Sequence, residues 1–103
     1  MRMMVRFKIP VDTGNEIVRS GKIGTVFEQL MADLKPEAAY MFPDDGDRAG
    51  FIVFDMQDET WVAGVVERFC FGVGAKVSLT PVMTPPDLQK ALEAVPQIVQ
   101  KYG

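Results

Sequence analysis

Apolar and polar side chains alternate at the beginning of the chain. In residues 3–9 the apolar positions are Met3, Val5, Phe7 and Ile9, and the charged positions between them are Arg6 and Lys8. A period of two residues is typical of a strand with one face on a core. The pattern therefore predicts a first strand, which Pro10 ends.

The next apolar residues recur at intervals of three and four, which is the spacing of a buried helical stripe. They are Ile17, Val18, Ile23, Phe27, Leu30, Met31 and Leu34. Residues 13–16, Thr-Gly-Asn-Glu, have the spacing of a capping box, so we expect the helix to begin there. Gly21 and Gly24 interrupt the stripe and predict a break or kink near Ser20-Gly21. Pro36 stops the helix.

Two strands are predicted on either side of an acidic turn. The second strand covers residues 38–42, and the third covers residues 51–56, which are apolar on both faces apart from Asp55. Residues 43–47, Pro-Asp-Asp-Gly-Asp, indicate a tight hairpin turn because Asp-Gly tolerates positive φ. A strand that is apolar on both sides has to be covered on both sides.

The last third of the chain repeats the helix and strand pattern and adds a helical tail. Asp58 is expected to cap a second helix, which Gly72 and Gly74 end. Its apolar stripe consists of Trp61, Val62, Val65, Val66 and Phe69. Residues 76–83 predict a fourth strand, with Val77, Leu79 and Met83 on one face. Residues 84–87, Thr-Pro-Pro-Asp, then begin a short amphipathic helix. This helix carries Leu88, Ala91, Leu92 and Val95, and Pro96 divides the tail.

These elements give the order strand, helix, strand, strand, helix, strand and helical tail. We therefore predict an α+β, ferredoxin-like βαββαβ fold. In this fold a four-stranded antiparallel sheet has two helices on one face, and strands one and three lie at its centre. Residues 1–83 form this domain, and residues 84–103 form a C-terminal helical tail that packs on the same or on the partner subunit.

Two helices leave the other face of the sheet bare. The helix-facing set is expected to be Met3, Val5, Phe7, Val77, Leu79 and Met83. The opposite face then contains Met4, Arg6, Lys8, Ser78, Thr80 and Val82. The second strand adds either Tyr40 and Phe42 or Ala39 and Met41 to this face. The third strand adds either Phe51, Val53 and Asp55 or Ile52, Phe54 and Met56. Such an apolar face usually marks an interface. We expect a homodimer that forms through this sheet face.

Composition narrows the location and the partners. A chain of 103 residues with 48% apolar and 24% charged residues is typical of one globular domain. The net charge is −3 and no Lys/Arg face is clustered, so nucleic acid is not expected as a partner. No apolar run is long enough to span a bilayer, and a single cysteine fits a reducing compartment. We expect a cytoplasmic protein with no membrane partner.

The chain contains no histidine, which excludes several chemistries. Ser-His-Asp and Cys-His nucleophile systems, His-ligated zinc or iron, and haem with a proximal histidine all require this residue. No cofactor is expected. Asp44, Asp45 and Asp47 do not match a calcium loop, so they indicate a solvated hairpin and no metal site. Cys70 has no evident basic partner and is interpreted as a small buried hydrophobe.

The element order and the strand ends resemble the dimeric α/β-barrel superfamily of ferredoxin-like proteins. The likeness covers roughly residues 3–83 and is carried by residues 35–40 (Lys-Pro-Glu-Ala-Ala-Tyr), 50–55 (Gly-Phe-Ile-Val-Phe-Asp) and 76–83 (Lys-Val-Ser-Leu-Thr-Pro-Val-Met). The superfamily includes antibiotic-biosynthesis monooxygenases, haem-degrading enzymes, muconolactone isomerases and uncharacterised small proteins. The resemblance implies facing sheets in a dimer and a ligand between a sheet and its own helices. It is closest to the uncharacterised members, because the haem-binding and His-Asp types depend on histidine.

Few polar side chains are expected near the sheet. Tyr40, Arg6 and Asp55 are the candidate catalytic residues, and Asp55 would pair with Arg6 if both lie on one face. In an oxygenase-like role, Arg6 or Lys8 would stabilise a phenolate or enolate while Tyr40 hydrogen-bonds the oxyanion. The alternative is that these residues form interface hydrogen bonds and salt bridges. Phe27, Tyr40 and Trp61 are the candidate ligand-binding residues, with Phe27 and Trp61 also expected in the core.

Three functions follow from these patterns. The first is a homodimeric domain that binds an apolar or aromatic small molecule between helices and sheet, because the many Met and Phe side chains would line an adaptable cavity. The second is a cofactor-independent monooxygenase or isomerase that acts on an aromatic or enolisable substrate. The third is an assembly module without a ligand.

Overall fold

The computed structural model of the chain describes all 103 residues. Its strands are β1 (Arg2–Ile9), β2 (Ala38–Asp44), β3 (Asp47–Asp55) and β4 (Lys76–Pro81). Its helices are α1 (Val11–Ser20), α2 (Ile23–Leu34), α3 (Trp61–Val73), α4 (Pro85–Ala91) and α5 (Val95–Tyr102), with a 3₁₀ turn at Leu92–Ala94. The predicted order of elements is confirmed, with the first helix divided in two.

The four strands form one antiparallel sheet in the order β2-β3-β1-β4. Cross-strand partners lie on the same face, so the pairing of Val5 with Ile52 and with Leu79 aligns the inward side chains of three strands. The core is completed from α2 and α3 by Leu30, Leu34, Val65, Phe69 and Val73. The predicted α+β, ferredoxin-like fold class is confirmed.

The strand register decides which residues face away from the helices. Tyr40 pairs with Phe51, which pairs with Arg6, and this row lies on the bare side. The bare side, called the open face below, carries Met4, Arg6, Lys8, Tyr40, Phe42, Phe51, Val53, Asp55, Ser78 and Thr80. The predicted position of Met83 on the helix-facing side of the fourth strand is wrong, because β4 ends at Pro81 and Met83 lies exposed beyond it.

Two predicted helix starts are also wrong. α1 begins at Val11, directly after Pro10, and has no side-chain cap, so residues 13–16 lie inside the helix. Only one residue joins β1 to α1, which leaves no room for a later start. Before α3, the carboxylate of Asp58 accepts hydrogen bonds from the backbone N–H and the hydroxyl of Thr60. Asp58 thus orders the turn before the helix, and Thr60 occupies the cap position.

Two turns form as the sequence predicts. α1 ends at Ser20 because Gly21 adopts the left-handed conformation with φ 74°. The β2–β3 hairpin turns at Asp45 and Gly46, whose φ values of 50° and 84° are those of a tight hairpin turn. The short loop keeps β2 and β3 paired as far as Asp44 and Asp47.

Residues 84–103, called the arm below, project from the body formed by residues 1–83. The predicted helix start at residues 84–87 is confirmed, Thr84 and Asp87 form a capping box there, and Pro96 lies in the first turn of α5 after the 3₁₀ turn that divides the tail. None of the arm helices contains a buried residue. The radius of gyration is 17.1 Å, against about 13 Å for a compact chain of this length. No helix in the structure has the length and apolar character needed to cross a bilayer.

Candidate functional site

A cavity of about 420 Å³ opens between α2 and the hairpin end of the sheet, and we call it the α2 cavity. Its lining residues are Phe7, Ile9, Ile23, Phe27, Met41, Phe42, Pro43, Gly46, Asp47, Arg48 and Ala49. The cavity exists because the helices leave β2 uncovered at this edge. Met41 faces the helix side of the sheet and yet remains 54% exposed.

Aromatic packing forms the inner wall of the α2 cavity. The Phe7 ring lies 5.6 Å from the ring of Phe27 and 5.3 Å from that of Phe69, measured between centroids. Phe69 and Phe7 are fully packed in the core, whereas Phe27 is half-buried and borders the cavity. The wall is therefore anchored on its inner side and apolar on the side that a ligand would contact.

The polar groups of the α2 cavity lie together at the hairpin end. Both terminal nitrogens of Arg48 donate to Oδ1 of Asn15 at 3.2 Å, so the guanidinium lies against α1. Asp47 borders the cavity, but its carboxylate lies on the open face, 3.8 Å from Nζ of Lys8. This arrangement suits a ligand with an apolar body and a polar group at one end.

A second, smaller depression of about 240 Å³ lies on the open face at the same end of the sheet. Arg6, Lys8, Phe42, Asp44, Lys76 and Ser78 are among its lining residues. Nζ of Lys8 lies between 3.7 and 3.9 Å from carboxylate oxygens of Asp44, Asp45 and Asp47. The ammonium group thus occupies the space between the three carboxylates.

The predicted pair of Arg6 and Asp55 does not form, although both lie on the open face. Arg6 is opposite Phe51 and Asp55 is opposite Arg2, so the two side chains are four residues apart along the ladder, or about 13 Å. The carboxylate of Asp55 instead lies 2.7 Å from the amino group of Met1. This amino group holds the pKa of Asp55 below its usual range through a hydrogen bond and its charge.

The candidate ligand-binding residues lie in three different places. Phe27 borders the α2 cavity, whereas Tyr40 lies on the open face with its ring 5.4 Å from that of Phe51. Trp61 begins α3 and lines a separate hollow beside Arg68. A single small ligand cannot contact all three.

Four side chains of the predicted helices that were expected in the interior are exposed, and these are Val18, Trp61, Val62 and Cys70. The inward stripe of α3 is Val65, Phe69 and Val73, and Trp61, one turn before it, is 37% exposed. Cys70 follows Phe69 and lies on the exposed side of α3, where its Sγ is 3.6 Å from the carbonyl oxygen of Ala75. The predictions of burial for Trp61 and Cys70 are wrong: Cys70 lies on the side of α3 away from the sheet, and Trp61 lies at the first residue of α3, before the buried stripe begins.

Sequence reasoning does not identify Ile23, Met41 and Arg48 as residues of one site. The sequence pattern assigns Ile23 to the helical core, leaves Met41 as one of two alternatives for the open face, and gives Arg48 no role. Only the register of β2 on β3 brings Met41 and Arg48 to the helix side of the sheet, beside the start of α2. The local sequence carries no signal of that register.

No protein-family model and no curated protein matches the sequence. Among solved structures, the chain is similar to 5-chloro-2-hydroxyhydroquinone dehydrochlorinase (TftG) from Burkholderia phenoliruptrix AC1100, in a complex with 2,5-dihydroxybenzoquinone. The TM-score is 0.63 at 15% identity, over 84% of this chain and 97% of that chain. The likeness supports the predicted α+β, ferredoxin-like fold, and at this identity it supports the fold alone.

Proposed function

We propose that the protein is a homodimeric domain that binds an apolar or aromatic small molecule in the α2 cavity. The observation that carries the proposal is the cavity itself, with a volume of about 420 Å³ and an aromatic wall. Ligand pockets of proteins measure about 300 to 1,000 Å³ and are mostly apolar, with a few polar groups that orient the ligand. Arg48 supplies such a group at one end.

The structure of TftG supports the class of ligand. Its complex contains 2,5-dihydroxybenzoquinone, a single planar ring with oxygen substituents. A compound of this size is smaller than the α2 cavity and has the combination of a flat apolar body and polar edges that the lining would accommodate. We therefore expect hydroxylated aromatic or quinone-like compounds to be the most suitable class.

The geometry gives less support to an oxygenase or isomerase that uses the predicted residues. Arg6 and Tyr40 are separated by Phe51 on β3, about 10 Å apart at the backbone, and Lys8 is engaged by three carboxylates. A catalytic site needs polar groups that converge on one reacting centre. Binding is therefore the function that we favour for this chain.

The test is a calorimetric titration of the full chain with 2,5-dihydroxybenzoquinone and with 2-naphthol as probes. Replacing Ile23→Trp would fill the cavity from α2 and is expected to weaken binding of either probe at least tenfold. Val62→Trp places the same side chain on an exposed part of α3 outside the cavity and serves as the control, with affinity within twofold of the parent. Equal affinity for the parent chain and Ile23→Trp would show that the probe binds elsewhere.

A further inference from the structure

The arm carries a continuous stripe of exposed apolar side chains. The members are Leu88, Leu92, Val95, Ile98, Val99 and Tyr102, each between 38% and 78% exposed. They recur at intervals of one, three and four, so they lie on one side of the helical arm. The charged and amide side chains lie on the other side, and these are Gln89, Lys90, Glu93, Gln97, Gln100 and Lys101.

The arm is helical although its helices are short. α4 has 7 residues and α5 has 8, and neither contains a buried residue. Isolated helices of fewer than about 12 to 15 residues are only marginally stable in water, because helix nucleation is unfavourable. In proteins this cost is normally offset by packing of the apolar side of the helix. A surface that covers the stripe would supply this packing.

The arm begins next to the open face. The backbone N–H of Val82 donates to the carbonyl oxygen of Arg2, and the guanidinium of Arg2 lies 3.4 Å from the carboxylate of Asp87. Arg2 pairs with Asp55 and lies on the open face, and β4, which precedes the arm, is an edge strand. The stripe and the open face are therefore neighbouring surfaces that one partner could cover together.

We propose that the arm is an exchanged element of the dimer, with its apolar stripe packed against a second copy of this chain. This inference rests on the proposed homodimer and adds the element that completes its interface. The four charges of the arm balance, with Asp87 and Glu93 against Lys90 and Lys101. Such an arm is not repelled by its own copy and has no net charge to attract a strongly charged partner.

The area of the two surfaces matches what a stable dimer needs. From the strand spacing and rise, the open face measures roughly 19 Å by 23 Å, or about 440 Å² per protomer. This is about half of the roughly 800 Å² that each partner buries in a standard interface. A helical arm of about 28 Å in length and about 10 Å in width adds about 280 Å², which brings the total close to that value.

The arm is also long enough to reach a second copy. Facing sheets pack about 10 Å apart, and the sheet is about 14 Å wide between the axes of its outer strands. An arm of about 28 Å that starts at the edge strand therefore extends over the partner. On its own body it extends into solvent, as the longest dimension of 58 Å reflects.

Sedimentation equilibrium of full-length variants tests the proposal. Val99→Asp places a charge in the stripe and is expected to raise the dimer dissociation constant at least tenfold. Gln97→Asp adds the same charge on the polar side of α5 and is expected to stay within twofold of the parent. Val99 is exposed in the protomer, so neither change disturbs the body. If the parent is a dimer and Val99→Asp does not weaken it, the proposal of an exchanged arm is wrong and the proposed homodimer stands. If the parent is a monomer, both proposals are wrong.

Chemical cross-linking provides a second measurement that needs no substitution. Dimers mixed from ¹⁴N- and ¹⁵N-labelled chains are treated with an amine-reactive cross-linker. Links from Lys101 to Lys8 or Lys76, the body lysines on the open face, are then sorted by isotope. Links that carry both isotopes are expected, because the exchanged arm lies on the partner. If all links between the arm and the body join residues of the same chain, the exchange is contradicted.

Discussion

Gly50 shows how one residue without a side chain positions the wall of the α2 cavity. It lies in β3 directly opposite Phe7 and Met41, and it is buried. A Cβ atom there would come within 2.6 Å of the carbonyl oxygen of Tyr40 and within 2.7 Å of Cζ of Phe7. The absent side chain therefore makes room for the Phe7 ring, which contacts Phe27 and Phe69.

Gly50→Ala is expected to destabilise the protein by about 1 to 3 kcal/mol, because the ring and the backbone carbonyl would both have to move. Urea unfolding measures the change. Gly24→Ala is the matched control, since Gly24 lies in α2 and a Cβ atom there would meet no other atom within 4 Å. Alanine favours the helical conformation more than glycine does, so Gly24→Ala is expected to stabilise the protein by about 0.5 to 1 kcal/mol. Equal effects of the two substitutions would contradict this account of Gly50.

At the scale of elements, the start of α4 depends on a reciprocal pair of hydrogen bonds. The backbone N–H of Thr84 donates to Asp87 at 3.1 Å, and the backbone N–H of Asp87 donates to the Thr84 hydroxyl at 3.3 Å. The hydrogen bonds from Thr84 hold the pKa of the Asp87 carboxyl below its usual value. The ionised carboxylate thus stabilises the base of the arm.

The arm should therefore lose its cap in acid. Because the folded pKa of Asp87 is below the unfolded value of about 3.9, the stabilisation is complete above that pH and is lost as pH falls through the folded pKa. We expect the chemical shift of the Thr84 amide in ¹H–¹⁵N spectra to change as pH is lowered, with a midpoint below about pH 3.9. The same resonance is expected to show no such transition in Asp87→Asn. Glu93 lies outside the capping box, so the Glu93→Gln variant is expected to keep the pH transition of the Thr84 amide. A midpoint above the unfolded value would contradict the cap.

At the scale of the whole molecule, the open face and the arm are the two surfaces that the protomer leaves without a partner. Phe51 lies at the centre of the open face, with the ring of Tyr40 5.4 Å away and that of Phe42 6.1 Å away. Three aromatic rings on a bare sheet favour a second sheet as their cover. The dimer proposal rests on this group.

Phe51→Asp is expected to raise the dimer dissociation constant at least tenfold, because it would leave a charge between two apolar sheets. Phe71→Asp is the control, since Phe71 is 88% exposed on α3, away from the open face. Analytical ultracentrifugation measures both variants, and thermal melting followed by circular dichroism verifies that they are folded. If the Phe71 change weakened the dimer and the Phe51 change did not, the interface would lie on the helices.

The local sequence by itself determined the elements and several of their ends. The alternation in β1, the break at Gly21, the Asp45-Gly46 turn and the helix start at residues 84–87 were all predicted. Each depends on residues within a few positions of one another, where intrinsic backbone preferences and side-chain spacing act directly. The order of these elements was sufficient for the fold class.

Only the tertiary structure decided how the elements meet. The register of β3 against β1 placed Asp55 beside Arg2 and away from Arg6, and the register of β2 brought Met41 to the α2 cavity. The tight connection at Pro10 moved the start of α1, helix rotation exposed Cys70, and the position of Trp61 at the first residue of α3 left it partly exposed. These features depend on contacts between segments distant in sequence, and a shift of one residue in pairing exchanges the two faces of a strand.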